Sequence, residues 1–211
     1  MTEDEFVERY PRLFHMAHRS ARDLIEKHGL LSTKRLLELF EGDAEKRCRL
    51  LTTRRKVYEA IGTPHGEVHI RDNGPIHQKV LDEWLKDMSS EAWFSLLNSM
   101  VFFFPSEERF HGLRTASAYR DQKHLKLVFD TRRFLDIYRD QVRLSPINSG
   151  EARKTHGVDR KAWRGRKTFQ TIKDYVGNPY IDSEKEVDVH EVTVTGGRVG
   201  VIGLGAIITV V

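Results

Sequence analysis

The sequence predicts an α+β fold, and three observations lead to this prediction. Helical signals dominate the first half of the chain, strand signals gather towards its end, and the two do not alternate as they do in a βαβ fold. Of the 211 residues, 39% are hydrophobic and 31% are charged, a balance typical of a globular domain with its own core. This length suits a single domain over residues 1–211.

The first half of the chain is mostly helical, with small polar residues and glycines at the ends of its segments. Ser20 and Ser32 each precede a helical segment and can accept an N-cap hydrogen bond, whereas Gly29 and Gly42 can end one. The predicted elements are helices over 3–11, 21–28 and 44–61, a helix between Ser32 and Gly42, and a strand over 13–16.

Strand signals recur from residue 66 onwards and gather near the end of the chain. Alternation of apolar and polar residues predicts strands over 66–71 and 187–194, and the bulky apolar run 100–104 predicts a buried strand. Asp72-Asn73-Gly74-Pro75 predicts a turn after the first of these strands. The other predicted elements are helices over 76–87, 89–98, 107–121, 132–138 and 167–175, a strand over 125–130, and over 198–211 either a hairpin or two strands separated by a glycine loop.

Composition argues against several classes of protein. A single cysteine, Cys48, excludes an internal disulfide framework and fits a reducing compartment, so we expect a cytoplasmic protein. The acidic N-terminus lacks an apolar signal region, and the longest apolar run, 199–211, is too short and glycine-rich to span a membrane. No zinc-ligand spacing occurs, and no metal is expected. The basic neighbours of Cys48 could lower the pKa of its thiol and make it reactive. The simpler interpretation is that Cys48 is an ordinary residue on the surface of a basic helix.

The net charge of +4 is unevenly distributed along the chain. Clustered cations favour a phosphate-bearing partner, although solvated helix faces and loops explain them as well. The two clusters consist of Lys46, Arg47, Arg49, Arg54, Arg55 and Lys56, and of Arg153, Lys154, Arg160, Lys161, Arg164, Arg166, Lys167 and Lys173.

The residues that suggest chemistry are spread over several segments. His15 ends a short predicted strand, where it can hydrogen-bond a sugar hydroxyl, and Gly29-Leu30-Leu31-Ser32 can turn backbone N–H groups towards a phosphate. Arg71 leaves a strand into a turn, and the apolar strand 101–104 precedes a capped helix. Glu191 is flanked by apolar residues in a late strand, so its carboxylate must either face solvent or have a role. A structural histidine is the competing interpretation of His15.

This succession resembles the ADP-ribosyltransferase superfamily, most closely the DarT type, which modifies DNA bases. In that type a Tyr-His-x-Thr-His segment precedes Gly-Leu, and the catalytic glutamate lies in an Ala-Glu-Val-Leu-Val strand; residues 14–18, 29–30 and 190–194 match here. Phe14 and Ala17 stand where the usual tyrosine and threonine would be.

Nearly the whole chain also resembles an uncharacterised bacterial family related to the DarT type, which brings no established activity. The matching motifs are Ile70-Arg71-Asp72-x-x-Pro75, Val101-Phe102-Phe103, Ser145-Pro146-Ile147-Asn148-x-Gly150, Arg164-Gly165 and Thr168-Phe169.

The superfamily resemblance implies a fold and a reaction. The fold has helices around a central split, mixed or antiparallel sheet, and the reaction transfers ADP-ribose from NAD to a nucleobase of DNA or RNA. By this resemblance Glu191 is catalytic and stabilises the oxocarbenium-like transition state. Arg71, or with less support Arg54 or Arg55, pairs with the pyrophosphate or orients the acceptor.

The resemblance also implies two sets of binding residues. Phe104 and Tyr119 are candidates for stacking on nicotinamide, although a core role explains Phe104 as well. Trp163 suits stacking on an exposed base, or else packing under a cationic loop. The NAD-binding candidates are His15, Gly29, Leu30, Ser32, Phe104 and Tyr119, and the nucleic-acid-binding candidates are Arg54, Arg55, Arg160, Trp163, Arg164 and Arg166.

Two alternative functions remain open at this point. An RNA 2′-phosphotransferase is related in fold and would not need Glu191. A non-catalytic nucleotide-binding or nucleic-acid-binding module fits the replacements at Phe14 and Ala17. The resemblance also leaves room for an antitoxin or immunity protein as a partner, and no membrane contact is expected.

Overall fold

The computed structural model describes residues 1–154, 162–181 and 188–211. In these ranges the chain forms eight α-helices and ten β-strands. The helices are α1 Glu3–Arg9, α2 Arg22–His28, α3 Thr33–Phe40, α4 Ala44–Thr52, α5 Gln78–Trp84, α6 Ser90–Asn98, α7 Glu107–Arg114 and α8 Thr131–Tyr138. The strands are β1 Arg12–His18, β2 Leu30–Leu31, β3 Glu59–Thr63, β4 Gly66–Ile70, β5 Val101–Phe103, β6 His124–Asp130, β7 Val142–Ser145, β8 Glu191–Val194, β9 Arg198–Val199 and β10 Ile207–Val210.

Two three-stranded antiparallel sheets lie at the centre of the fold. One has the strand order β1-β6-β10 and the other the order β5-β8-β7. They meet at one antiparallel bridge, where Phe14 and Phe104 exchange backbone hydrogen bonds of 2.9 and 2.7 Å. The two remaining sheets are the pairs β2-β9 and β3-β4. The predicted α+β class is therefore confirmed, and the central strands form two sheets with a split between β1 and β5.

The main core packs around these sheets. Leu13 and Leu127 from the first sheet and Phe103 and Val192 from the second are fully or almost fully buried in one apolar cluster. Phe134 of α8 joins the same cluster. Residues of both sheets thus bury their side chains together, which fixes the position of β1 relative to β5.

Of three smaller clusters, one contains Phe14, Met16, Phe110 and Tyr119, and the other two involve the helices α3 to α6. One joins α3 and α4 to the β3–β4 hairpin through Leu37, Leu50 and Ile61. The other surrounds Trp84 and Trp93 on α5 and α6.

The predicted cap at Ser32 and the cap of the helix after strand 101–104 form, whereas the predicted cap at Ser20 is wrong, because α2 follows Ala21 without a side-chain cap and the Ser20 N–H donates to His18 Nδ1. The hydroxyl of Ser32 accepts from the Arg35 N–H at the start of α3, and Ser106 does the same for Arg109 at the start of α7. Gly29 follows α2 with a φ of 77°, the left-handed region that glycine adopts without strain.

The structure corrects the helix predicted over 44–61. Helix α4 ends at Thr52, and residues 59–63 form β3. Ile61 pairs with Val68 across the hairpin, and both side chains are buried. This long-range pairing outweighs the local helical pattern.

Other boundaries also differ from the predictions. Helix α7 ends at Arg114 instead of extending to residue 121, and only a short 3₁₀ turn at Arg166–Thr168 forms in the predicted helix 167–175. The last segment forms two separate strands, because β9 pairs with β2 while β10 pairs with β6. The predicted strand over 187–194 begins at Glu191 within the described residues, and residue 187 itself lies outside them.

None of the helices in the described residues has the length and apolar character needed to cross a membrane.

Candidate functional site

His15 lies at the split between the two sheets. It is in the middle of β1, and its Nδ1 donates to the Phe102 carbonyl, 2.7 Å away on β5. Its ring also packs against Phe103, with 5.6 Å between the centroids. Burial lowers the pKa of His15 to about 4, so the ring is neutral at pH 7. A neutral, anchored imidazole can offer its other nitrogen to a ligand as a hydrogen-bond partner.

Arg71 reaches the same region from the end of the β3–β4 hairpin. Its Nη2 donates to the Met16 carbonyl at 3.0 Å, and its guanidinium lies 5.0 Å from the centre of the Tyr119 ring. Burial lowers the pKa of Arg71, while the nearby Tyr119 and Asp72 favour its charged form. The structure therefore brings two predicted site residues, His15 and Arg71, to neighbouring positions along β1.

Tyr119 and Asp72 are hydrogen-bonded to each other next to Arg71. The Tyr119 hydroxyl donates to Asp72 Oδ2 at 2.7 Å, and the Gly74 N–H donates to Oδ1 of the same carboxylate at 2.8 Å. Burial and the bond to Asp72 raise the pKa of Tyr119. Asp72 is thus fixed at both oxygens, and the Tyr119 ring faces Arg71.

Phe104 and Tyr119 pack against one apolar cluster together with Phe14, Met16 and Phe110. This placement favours the core interpretation of Phe104. Contact of either ring with nicotinamide stays a prediction.

Glu191 is the first residue of β8 and is only 8% exposed. Its Oε2 accepts from the Ser149 N–H at 3.1 Å. Burial raises the pKa of Glu191 to about 7, although the Ser149 bond and the nearby Arg164 act in the opposite direction. A carboxyl group with this pKa exchanges its proton readily near neutral pH, which suits a general base.

Arg164 is the buried cation beside Glu191. It is 0% exposed, its Nη1 donates to the Ser149 carbonyl at 3.1 Å, and Trp84 and Trp93 lie 5.5 and 5.6 Å from its guanidinium. Burial lowers the pKa of Arg164 to about 10, which leaves it charged at neutral pH. Ser149 thus connects the two charges, because its N–H binds Glu191 and its carbonyl binds Arg164.

The strand registers relate Glu191 to His15. Val192 pairs with Phe103, so Glu191 lies level with Phe104, which in turn bridges to Phe14. Two strand spacings, about 10 Å, therefore separate the backbones of Glu191 and Phe14, the neighbour of His15. The described contacts join Glu191 to Ser149 and Arg164, and join Arg71 to Met16 and Tyr119. These are two adjoining groups on either side of the split.

The segment 29–32, which is predicted to approach a phosphate, packs against the chain around β9. A Cβ on Gly29 would lie 2.3 Å from the Val199 carbonyl oxygen, which explains the glycine. Leu30 pairs with Val199 in β2-β9, and the Ser32 N–H donates to the Gly197 carbonyl at 2.8 Å. Contact of this segment with NAD stays a prediction.

The predicted nucleic-acid surface is smaller than the charge pattern implies. Arg55 is 7% exposed and donates to Asn98 Oδ1 and to the carbonyls of Leu50 and Arg71. Arg164 is also buried, so neither guanidinium is available on the surface. The prediction from charge that Arg55 and Arg164 lie on a nucleic-acid-binding surface is therefore wrong.

The other predicted surface residues are more accessible. Arg54 is half-buried and donates to the Gly74 carbonyl. Lys86 lies 3.4 Å above the Trp163 ring, and Arg166 is exposed beside Asp87. Arg160 lies outside the described residues.

Three rings lie close together at the end of β1, and no sequence pattern predicts a role for them. The centroids of the His18 and His69 rings lie 4.4 Å apart with the rings tilted by 40°, and Tyr58 stacks on His69 at 4.5 Å with an interplanar angle of 23°. His18 Nδ1 accepts from the Ser20 N–H at 3.2 Å, so a neutral His18 carries its proton on Nε2. We call these three rings the ring column. The β3–β4 hairpin brings Tyr58 and His69 close to His18. Because these residues are far from His18 in sequence, no local sequence pattern predicts the contact.

An open depression of about 540 Å³ lies beside His18. Its remaining lining residues are Arg19, Ser20, Arg22, Asp23, Lys123 and Val210, which come from the end of β1, the start of α2, the residue before β6 and the end of β10. Three cations against one carboxylate give the depression a net positive charge, which favours an anionic ligand.

No group of three or more metal-ligating side chains occurs within the described ranges. Cys48 is a free, exposed thiol on α4.

Comparisons with known proteins give one match. No curated protein and no solved structure matches the chain. Residues 11–202, more than half of the chain, match a family described as a family of unknown function, DUF7002. The match includes β1, the hairpin with Arg71, and the strand with Glu191. The chain therefore belongs to the DUF7002 family.

Proposed function

We propose that this protein is an NAD-dependent ADP-ribosyltransferase whose acceptor is a nucleobase of DNA or RNA. The observation that carries the proposal is the position of Glu191, a buried carboxyl group at the start of β8, beside the split where His15 is anchored. The resemblance of both segments to the same superfamily supports this assignment.

Glu191 supplies the charge that the reaction needs. As the bond between nicotinamide and C1′ of the ribose breaks, nicotinamide leaves with the bonding electrons and positive charge develops on the ribose. An ionised carboxylate in a water-poor site stabilises that charge strongly. The nucleobase amine then forms the new bond to C1′, and its proton passes to a carboxylate such as Glu191. Because the pKa of Glu191 is about 7, turnover should rise as the pH increases through this value.

Arg71 and His15 account for binding on the other side of the split. Arg71 is oriented by the Met16 carbonyl and the Tyr119 ring, and a guanidinium binds a pyrophosphate in bidentate fashion. His15 is neutral and fixed at Nδ1, which leaves Nε2 for a ribose hydroxyl. NAD is therefore the substrate that this set of groups fits.

The test is NAD-dependent labelling of nucleic acid. The purified protein is incubated with labelled NAD and single-stranded DNA, double-stranded DNA or RNA, and free nicotinamide and labelled acceptor are measured. We expect Glu191→Gln to abolish both signals and the matched control Glu91→Gln, an exposed carboxylate on α6, to retain them. If NAD stays intact with all acceptors, or if Glu191→Gln retains activity, the proposal fails.

A non-catalytic binding module is the second candidate, and one observation favours it. Glu191 is almost fully enclosed and already bound to the Ser149 N–H near the charge of Arg164, as a structural carboxyl group would be. Calorimetry that detects binding of NAD or an oligonucleotide without release of nicotinamide would support this alternative.

A further inference from the structure

The ring column and the cationic depression meet at His18. Tyr58 forms the outer end of the column and is 52% exposed, whereas His18 forms its inner end and lines the depression. A ligand on this surface would therefore contact aromatic faces and cations at the same time.

Two of the three cations of the depression are available to a ligand. Arg19 and Lys123 are exposed, and in the described part of the chain neither side chain is part of an ion pair or hydrogen bond. Arg22 lies 3.8 Å from Glu26 in an exposed pair, which is a weak interaction. Asp23 is the carboxylate that lowers the positive charge.

Single-stranded nucleic acid combines the two features that this surface matches. Its backbone follows cationic grooves, and its bases stack on aromatic side chains without strong dependence on sequence. The volume of the depression, about 540 Å³, lies within the range of about 300–1,000 Å³ that is usual for small-ligand sites. A duplex would keep its bases stacked inside, where Tyr58 has no access to them.

We propose that the ring column and the depression bind a single-stranded nucleic acid, with phosphates at Arg19 and Lys123 and a base on Tyr58. The proposal rests on the proposed function in that the bound strand is the acceptor. His18 follows His15 by three strand residues, about 10 Å, so a neighbouring base can extend from the column towards the split.

The experiment measures binding without NAD, so its result does not depend on turnover. Fluorescence anisotropy with a fluorescein-labelled oligothymidine and with a matched RNA gives Kd over a series of salt concentrations. The double substitution Arg19→Gln and Lys123→Gln should weaken binding about tenfold or more and reduce the salt slope by about 1.4, the value for two phosphate contacts of a single strand. The control, Lys34→Gln with Lys79→Gln, removes the same charge from exposed positions elsewhere and should change Kd by less than about twofold.

Stacking is tested separately at Tyr58. Tyr58→Ala should weaken binding at least about fivefold with an unchanged salt slope, and Tyr58→Phe should restore it. Circular dichroism confirms that the variants fold, which the exposed positions favour.

Three results would overturn the proposal. The first is an equal loss of oligonucleotide affinity in the two double variants, and the second is an unchanged Kd in Tyr58→Ala. The third is displacement of the oligonucleotide by NAD, with an NAD affinity that depends on Arg19 and Lys123. The last result would assign the cations to the dinucleotide. If Glu191→Gln loses labelling but binds the oligonucleotide as the wild type does, catalysis and strand binding depend on different residues, and a failure of one proposal can be told from a failure of the other.

Discussion

Replacing Glu191 by glutamine should remove a pH dependence of stability that the buried carboxyl group creates. The pKa of Glu191 is about 7 in the folded chain, against an ordinary value of 4.5. The folded state therefore binds the proton more tightly than the unfolded state, and stability falls as the pH rises through this window. Each pKa unit corresponds to about 1.4 kcal/mol, so the cost between pH 5 and pH 8 is about 2.5 kcal/mol.

Urea denaturation followed by tryptophan fluorescence measures this effect, because Trp84 and Trp93 are buried in the folded chain and become exposed when it unfolds. The wild type and Glu191→Gln are compared at several pH values between 5 and 8. The difference in unfolding free energy, variant minus wild type, should grow by about 2.5 kcal/mol over this range. Other titrating groups contribute equally to both proteins and cancel. A constant difference across the pH range would show that Glu191 is ionised throughout, and would remove the basis for its role as a base.

Three further substitutions test individual contacts by the same denaturation assay. Gly29→Ala should lower stability by more than about 1 kcal/mol, because its Cβ would meet the Val199 carbonyl and φ is 77°; an unchanged midpoint would contradict this packing. Arg55→Met should cost about 3 kcal/mol, since several buried acceptors lose their donor; a loss under about 1 kcal/mol would place the side chain in solvent. Tyr119→Phe should cost about 1 kcal/mol through the lost bond to Asp72, and no loss would mean that water replaces the hydroxyl.

Local signals predicted much of the fold. The serine caps at Ser32 and Ser106 involve residues three positions apart, so the sequence pattern alone contains them. The β3 strand was missed because its stability depends on pairing with β4 and on burial of Ile61, and neither is visible in the helical pattern of 44–61. Long-range partners decide such segments.

The candidate site shows the same limit. The position of Glu191 in an apolar late strand suggested a functional carboxylate, and the structure indeed buries it. Its partners, Ser149 and Arg164, are distant from it in sequence and lie in a segment for which the sequence predicts no helix or strand. No spacing rule connects them, because the contact exists only after β8 pairs with β7 and brings Ser145 opposite Glu191.

Clusters of cations in the sequence predict the cationic surface of this protein only in part. Arg55 and Arg164 belong to the two clusters, yet both are buried and bind backbone carbonyls. Arg19 and Lys123, by contrast, belong to neither cluster and meet only because β1 and β6 pair in antiparallel register. An arginine with three partners is fixed and cannot follow a flexible strand, whereas an unpaired lysine can. We therefore expect a single-stranded nucleic acid to bind the unpaired cations that the fold assembles beside His18 and its aromatic neighbours.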